Sequence, residues 1–339
     1  MPKKRDDLIP RGMLLIADNI SSRDNIFGAS PGVKAEWAKE LSLPRRNKTI
    51  FFAGCGYQYL RHARTMLDAL SKLEKHGLDA ERTTGIAKAF KRVGIDLTAM
   101  YSKLPLGGDD HYIEVLHSAV KVLTGLGVDF GYLHEEEPCC GAPLYFFGLE
   151  EEFARHCQVT YDKFKSLGVK QIIGLVPSCT NALHNLFPNY VSGFDIEVKH
   201  FCQVVWERIK EGNISLEMPQ KVEVTYHDPC QLTRYLGVID EPRQVLNSIK
   251  GLELKEPEWT NREWATCCGG GGGFEMVFPE LSHILAVNRA RELMETGAST
   301  IVTHCPACVM QLEEGLSDLG RNHTEVLDLA QVVDRALRR

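Results

Sequence analysis

Two adjacent cysteine pairs, Cys139-Cys140-Gly141 and Cys267-Cys268-Gly269, are each followed by an apolar run that closes on a further cysteine. Those runs, Ile172-Ile173-Gly174-Leu175-Val176-Pro177-Ser178-Cys179 and Ile301-Val302-Thr303-His304-Cys305-Pro306-Ala307-Cys308, align without a gap. The chain therefore contains an internal repeat, and both copies should fold as one kind of supersecondary unit. The parallel reaches upstream, where Phe51-Phe52-Ala53-Gly54-Cys55 and Val224-Thr225-Tyr226-His227-Asp228-Pro229-Cys230 are strand-like runs ending on cysteine. Tyr59-Leu60 and Tyr235-Leu236 follow at similar offsets.

The second copy is the complete one. Thirty-six residues separate Cys230 from Cys267, and thirty-six separate Cys268 from Cys305, so five thiols share one module. The first copy keeps Cys55, Cys139, Cys140 and Cys179, but Val176 stands where Cys305 stands. Its 83 residues between Cys55 and Cys139 include the charged, helix-like stretch Ser71 to Val93, which reads as an insertion.

Short apolar runs alternating with helix-period stretches predict an α/β fold. The architecture expected is two tandem, related Rossmann-like modules with parallel sheets, a pseudo-twofold between them, and cluster sites at the strand C-termini. Strands are expected at 48–54, 128–133, 171–176, 221–226 and 299–304. Helices are expected over His62 to Lys75, Tyr112 to Leu126, Glu150 to Leu167, Leu281 to Thr296 and Met310 to Leu319. The expected divisions are a largely irregular N-terminal arm or linker over 1–46, a degenerate first cysteine-rich domain over 47–212, and a complete second one over 213–339. Gly212, Asn213 and Pro219 interrupt the pattern at the junction, Lys210 to Gln220.

Length and composition narrow the function classes. With 339 residues, 44% of them apolar, the chain needs no stapling, so its eleven cysteines are not a disulfide framework. Lys and Arg total 39 against 45 Asp and Glu, without the basic excess that phosphate-backbone binding requires. The apolar stretch Met13 to Ala17 is too short for a signal core or a membrane span, so a cytoplasmic protein without direct membrane insertion is expected.

Clustered thiolates are soft ligands suited to iron–sulfur clusters, zinc or copper. Zinc takes four ligands, whereas the second module offers five, two of them adjacent, which suits a polynuclear iron–sulfide centre better. A zinc-stabilised scaffold is the minor alternative. The glycine run Gly269 to Gly273 lets backbone N–H groups approach cluster sulfurs, and Phe274-Glu275-Met276 after it excludes a phosphate-binding loop. Cys157 and Cys202 read as buried small hydrophobes. His227 and His304 sit beside proposed ligands and could donate hydrogen bonds or move protons, although packed structural histidines are commoner there.

The pattern Cys-xn-Cys-Cys-Gly-xn-Cys-x-x-Cys resembles the cysteine-rich domain of the B-type subunit of heterodisulfide reductase. Two tandem copies resemble that subunit, the homologous part of the D-type subunit, and the iron–sulfur subunits of glycolate oxidase and lactate-utilisation complexes, over roughly residues 47–330. The resemblance implies a noncubane [4Fe-4S] cluster held by Cys230, Cys267, Cys268, Cys305 and Cys308. It implies a second iron–sulfur cluster, of a different kind or lost, at Cys55, Cys139, Cys140 and Cys179. Asn25-Ile26-Phe27-Gly28 followed by Trp37 resembles the linker that elsewhere joins a ferredoxin domain to the repeats. The implied partners are a ferredoxin-like iron–sulfur subunit and a flavoprotein subunit, and the implied substrate is a thiol, a disulfide or a sulfur carrier. Electron relay for an organic-acid or other flavin-linked oxidoreductase is the alternative role.

Overall fold

Runs of aromatic and β-branched residues, Thr49-Ile50-Phe51-Phe52 and Thr300-Ile301-Val302-Thr303, form inner strands on which both halves are built. The computed structural model describes residues 9–59, 111–212 and 214–337. The helix expected over His62 to Lys75 and the insertion Ser71 to Val93 lie outside the described residues.

The first sheet holds β1 (Thr49–Phe52), β2 (Gly131–Tyr132), β3 (Gln171–Gly174) and β4 (Glu197–His200) in the order β2-β1-β3-β4. The second holds β5 (Leu216–Tyr226), β6 (Ile249–Lys255), β7 (Thr300–Thr303) and β8 (Glu325–Asp328) in the order β6-β5-β7-β8. Every pairing is parallel, and the two orders are the same: second, first, third, fourth. The fold is α/β with two similar modules.

Strands β4, β6 and β8 add to the expected set; all three are outermost in their sheets. Pro219 lies in β5 where its register with β6 shifts between Glu217 and Val222, as a residue without an N–H requires.

The helices are α1 (Arg11–Arg23), α2 (His111–Gly125), α3 (Glu150–Ser166), α4 (Phe201–Glu211), α5 (Asp240–Asn247), α6 (Pro279–Met294), α7 (Pro306–Asp318) and α8 (Leu329–Ala336), with shorter turns between. Two expectations are corrected. Over its described residues, 9–46, the arm is not largely irregular, because Met13, Ala17 and Ile20 give α1 a buried face at helical spacing. Helix α7 starts at Pro306, not Met310, since proline is suited to a first helical position.

The buried core runs unbroken through both halves. Helix α2 of the first half packs on α8 of the second, and Ser118 Oγ donates to Asp334 Oδ2 at 3.0 Å across that contact. No helix among the described residues is long and apolar enough to cross a membrane.

Candidate metal centre

Each candidate site forms where parallel strands end. From β1 the chain passes through Ala53 and Gly54 into Cys55, and just beyond β3 a short helix, Pro177–Asn181, carries Cys179. Cys55 Sγ lies 3.8 Å from Cys139 Sγ, and Cys140 Sγ lies 3.1 Å from Cys179 Sγ. All four thiols are buried. A Cβ on Gly54 would sit 3.0 Å from Cys179 Sγ, and the residue has φ +67°, so only glycine lets the backbone pass this close to the sulfurs. Val176 Cγ2 lies 3.3 Å from that same point and fills, with carbon, the corner where the second half has a thiol.

The frame around the first site is polar and buried. Glu137 accepts from Ala53 N at 2.8 Å, Gly54 N at 3.1 Å and Gln58 Nε2 at 2.6 Å, while Lys34 Nζ donates to its backbone carbonyl. Burial pushes the Glu137 carboxyl up to about 7. Asp24, just past α1, accepts from Cys139 N at 2.8 Å. The arm thus shapes the site, and Trp37 anchors it by donating to Tyr132 Oη at 3.1 Å. Sequence reasoning missed Glu137, Asp24 and Lys34. Glu137 is one of three consecutive glutamates, and only burial separates it from its neighbours.

In the second half β5 delivers His227-Asp228-Pro229-Cys230, β7 delivers His304-Cys305, and the first turn of α7 carries Cys308. Cys268 Sγ lies 3.1 Å from Cys308 Sγ, matching the Cys140–Cys179 pair. Cys230 and Cys305 are half-buried, and Cys267 is the exposed member of the five. Gly269 N donates to Cys267 Sγ at 3.3 Å, and Gly141 N donates to Cys139 Sγ at 3.4 Å, so both repeats set one backbone N–H on the leading sulfur of the pair. The strand end is pinned by Asp228, which accepts two bonds of 2.8 Å from Arg243 and one of 2.8 Å from Arg262 N.

The two histidines singled out from sequence part company here. His227 is buried, and its ring, Cys268 Sγ and Cys308 Sγ lie within 4.8 Å of one another. His304 is fully buried against the His200 ring, with centroids 5.2 Å apart, and its Nδ1 is 4.0 Å from Asp328 Oδ1. Cys157 packs in α3, and Cys202, at the start of α4, meets His200 Nδ1 at 3.1 Å.

The two sites abut. A Cβ on Gly56 would meet Pro306 Cγ at 2.4 Å, so the turn after Cys55 rests on the Cys305–Cys308 corner. In return the π-helical turn Gln231–Tyr235 after Cys230 packs on the Pro177–Asn181 helix, where Asn181 Nδ2 donates to Gln231 Oε1 at 2.9 Å.

Most of these thiols resist ionisation as protein groups, and Cys268 is the exception. Cys55 is pushed well up by the Cys139 thiol it donates to and by burial, and Cys230 is pushed up to about 11 by burial, then by Cys305 and Cys268. Cys268 is pulled well down by contacts with Cys267 and Cys308, then His227. Crowding several thiols in low dielectric is unfavourable for thiolates unless a cation compensates them. The donor set, all soft sulfur and more numerous than one ion needs, fits an iron–sulfur group.

A family model described as the CCG cysteine-rich domain matches residues 107–184 and 224–313. The chain belongs to the CCG cysteine-rich domain family, with two tandem copies. The first CCG match contains Cys139, Cys140 and Cys179, and the second contains all five of its thiols. Among curated proteins, the EtfAB:quinone oxidoreductase of Syntrophomonas wolfei is 32% identical over 248 residues, which are 70% of this chain and 34% of that one. The D-type subunit of the dihydromethanophenazine:CoB–CoM heterodisulfide reductase of Methanosarcina barkeri is 32% identical over 224 residues, 64% of this chain and 54% of that one. The chain thus spans between a third and just over half the length of these curated relatives. A solved hypothetical protein from Helicobacter pylori superposes with a TM-score of 0.47 at 15% identity, over 68% of this chain and 47% of that one.

Proposed function

We propose that the chain is an iron–sulfur redox subunit of a heterodisulfide reductase-like complex, with its chemistry at the second-half site. Cys230, Cys267, Cys268, Cys305 and Cys308 would hold a noncubane [4Fe-4S] cluster, and Cys55, Cys139, Cys140 and Cys179 a second iron–sulfur cluster. The observation that carries the reading is the contrast in exposure: the first half buries all four of its thiols, whereas the second presents Cys267 to solvent beside the close Cys268–Cys308 pair. A buried sulfur site can pass electrons but cannot meet a substrate, and an exposed one can do both.

When bound, such a cluster supplies single electrons and an iron surface for sulfur. The overall step would be RSSR′ + 2 e⁻ + 2 H⁺ → RSH + R′SH, or its reverse, with the electrons exchanged through a ferredoxin-like subunit and a flavoprotein partner. The chain's own residues would hold the sulfurs, keep water from the first site, and open the second at Cys267. The relative named EtfAB:quinone oxidoreductase favours a second reading, in which the chain relays electrons while the substrate binds elsewhere.

Iron, acid-labile sulfide and zinc measured on protein purified without oxygen test the reading. About four irons per chain indicate one cluster and about eight indicate two; zinc without sulfide overturns the proposal. Cys267→Ser in the assembled complex should lower disulfide turnover at least tenfold. Full turnover in that variant would leave the relay reading in its place.

A further inference from the structure

Arg289 is fully buried in α6, and its Nε donates to His227 Nδ1 at 3.0 Å. Its Nη1 donates to Thr260 O at 2.9 Å and to Glu292 Oε2 at 2.8 Å, so the guanidinium is held from two sides and cannot swing away. An arginine Nε always carries hydrogen and can only donate, so Nδ1 of His227 must be the accepting, unprotonated nitrogen. The neutral ring then carries its proton on Nε2. That atom is buried and has no hydrogen-bond partner among the described residues. A ring nitrogen nevertheless stands within 4.8 Å of Cys268 Sγ and Cys308 Sγ, which are 3.1 Å apart.

A histidine ligating iron through Nε2 would need its lone pair there and its proton on Nδ1, where the Arg289 N–H already points. We propose that Arg289 fixes the His227 proton on Nε2, where it is free to donate to sulfur of an iron–sulfur group held by Cys268 and Cys308, making His227 a positioning and tuning residue of the second-half centre and excluding it as an iron ligand. The inference rests on the iron–sulfur reading of that site. The first half offers an internal contrast, because Phe52 occupies the position matching His227 and supplies no such donor. The two centres should therefore differ in potential for a reason beyond the missing thiol. A hydrogen bond to cluster sulfur favours the more negative, reduced state and raises its midpoint.

The test is a redox titration followed by EPR on the complete protein, comparing the parent with His227→Phe and Arg289→Met. The expected result for His227→Phe is an unchanged iron content with a more negative midpoint for the second-half signal only. Arg289→Met, which leaves the imidazole but frees its tautomer, should move the midpoint in the same direction by a smaller amount. An unchanged midpoint in folded His227→Phe, or the loss of iron from that site, overturns the proposal. Histidine ¹⁵N shifts of the parent protein read the tautomer directly and depend on neither variant folding: a proton on Nε2 supports the assignment, and a proton on Nδ1 overturns it. Absence of iron from the parent would strike the reading on which the inference rests, and the tautomer would still decide whether Arg289 sets the proton.

Discussion

At the scale of single residues, the second site depends on positions that admit no side chain. A Cβ on Gly269 would lie 2.2 Å from the backbone oxygen of Ser282, at φ +87°, directly after the Cys267-Cys268 pair. Ser282 Oγ also donates to the Gly269 carbonyl at 2.8 Å, so the loop and α6 are locked face to face. Gly269→Ala should cost on the order of 2 kcal/mol or more in urea unfolding, since a left-handed backbone and a collision with main chain cannot both relax. A smaller loss would show that the loop can move away from α6. The glycine was legible from sequence as a position for close approach. The surface it approaches was not, because Ser282 belongs to a helix whose placement depends on packing.

At the scale of elements, β8 and α8 show how a strand end builds a polar junction. Asp328 caps α8 by accepting from Ala330 N at 2.8 Å and also accepts from Tyr57 Oη at 2.6 Å. Burial raises its carboxyl from the usual 3.8 to about 7. The facing groups do not compensate it: His304 is held well below its ordinary value by burial, then by His200, and His200 is held down to about 3 by burial. A carboxyl that keeps its proton in the fold but loses it when unfolded stabilises at low pH. That contribution disappears as pH rises from about 4 toward 7. The buried histidines act with the opposite sign over the same range, so the informative quantity is the stability difference between the parent and Asp328→Asn. The parent should lose ground to the variant between pH 4 and pH 7, measured by urea midpoints; a flat difference would mean that Asp328 titrates normally in the fold. The equivalent first-half junction carries His200 as cap, and the repeat runs without a gap from Glu197-Val198 to Val204-Val205 against Glu325-Val326 to Val332-Val333. That alignment marks β4 and β8 in the sequence itself, beyond the reach of the cysteine pattern.

At the scale of the whole molecule, the halves are tied by buried and half-buried hydrogen bonds. Tyr57 reaches Asp328, Asn181 meets Gln231, Ser118 meets Asp334, and the core is continuous between them. Calorimetry of the full chain should therefore give one transition with matching calorimetric and van't Hoff enthalpies. Two resolved transitions would show that each half holds its fold alone. The same contacts set the sites against each other, which places a buried sulfur group beside a solvent-facing one.

The repeat, its thiols and the inner strands β1, β3, β5 and β7 were determined by the sequence alone, because periodicity and cysteine spacing are local properties of a chain. The tertiary structure decided what lies around them. Glu137, Asp24 and Lys34 frame the first site across more than a hundred residues of chain, and Arg289 meets His227 from 62 residues away. No local pattern records such pairs, since burial and a shared surface between separate elements create them. The exposure of Cys267 beside the burial of Cys139, its counterpart in the repeat, is likewise a product of packing. Two copies of one motif, already unequal at Val176 and Cys305, thereby become differently exposed sites.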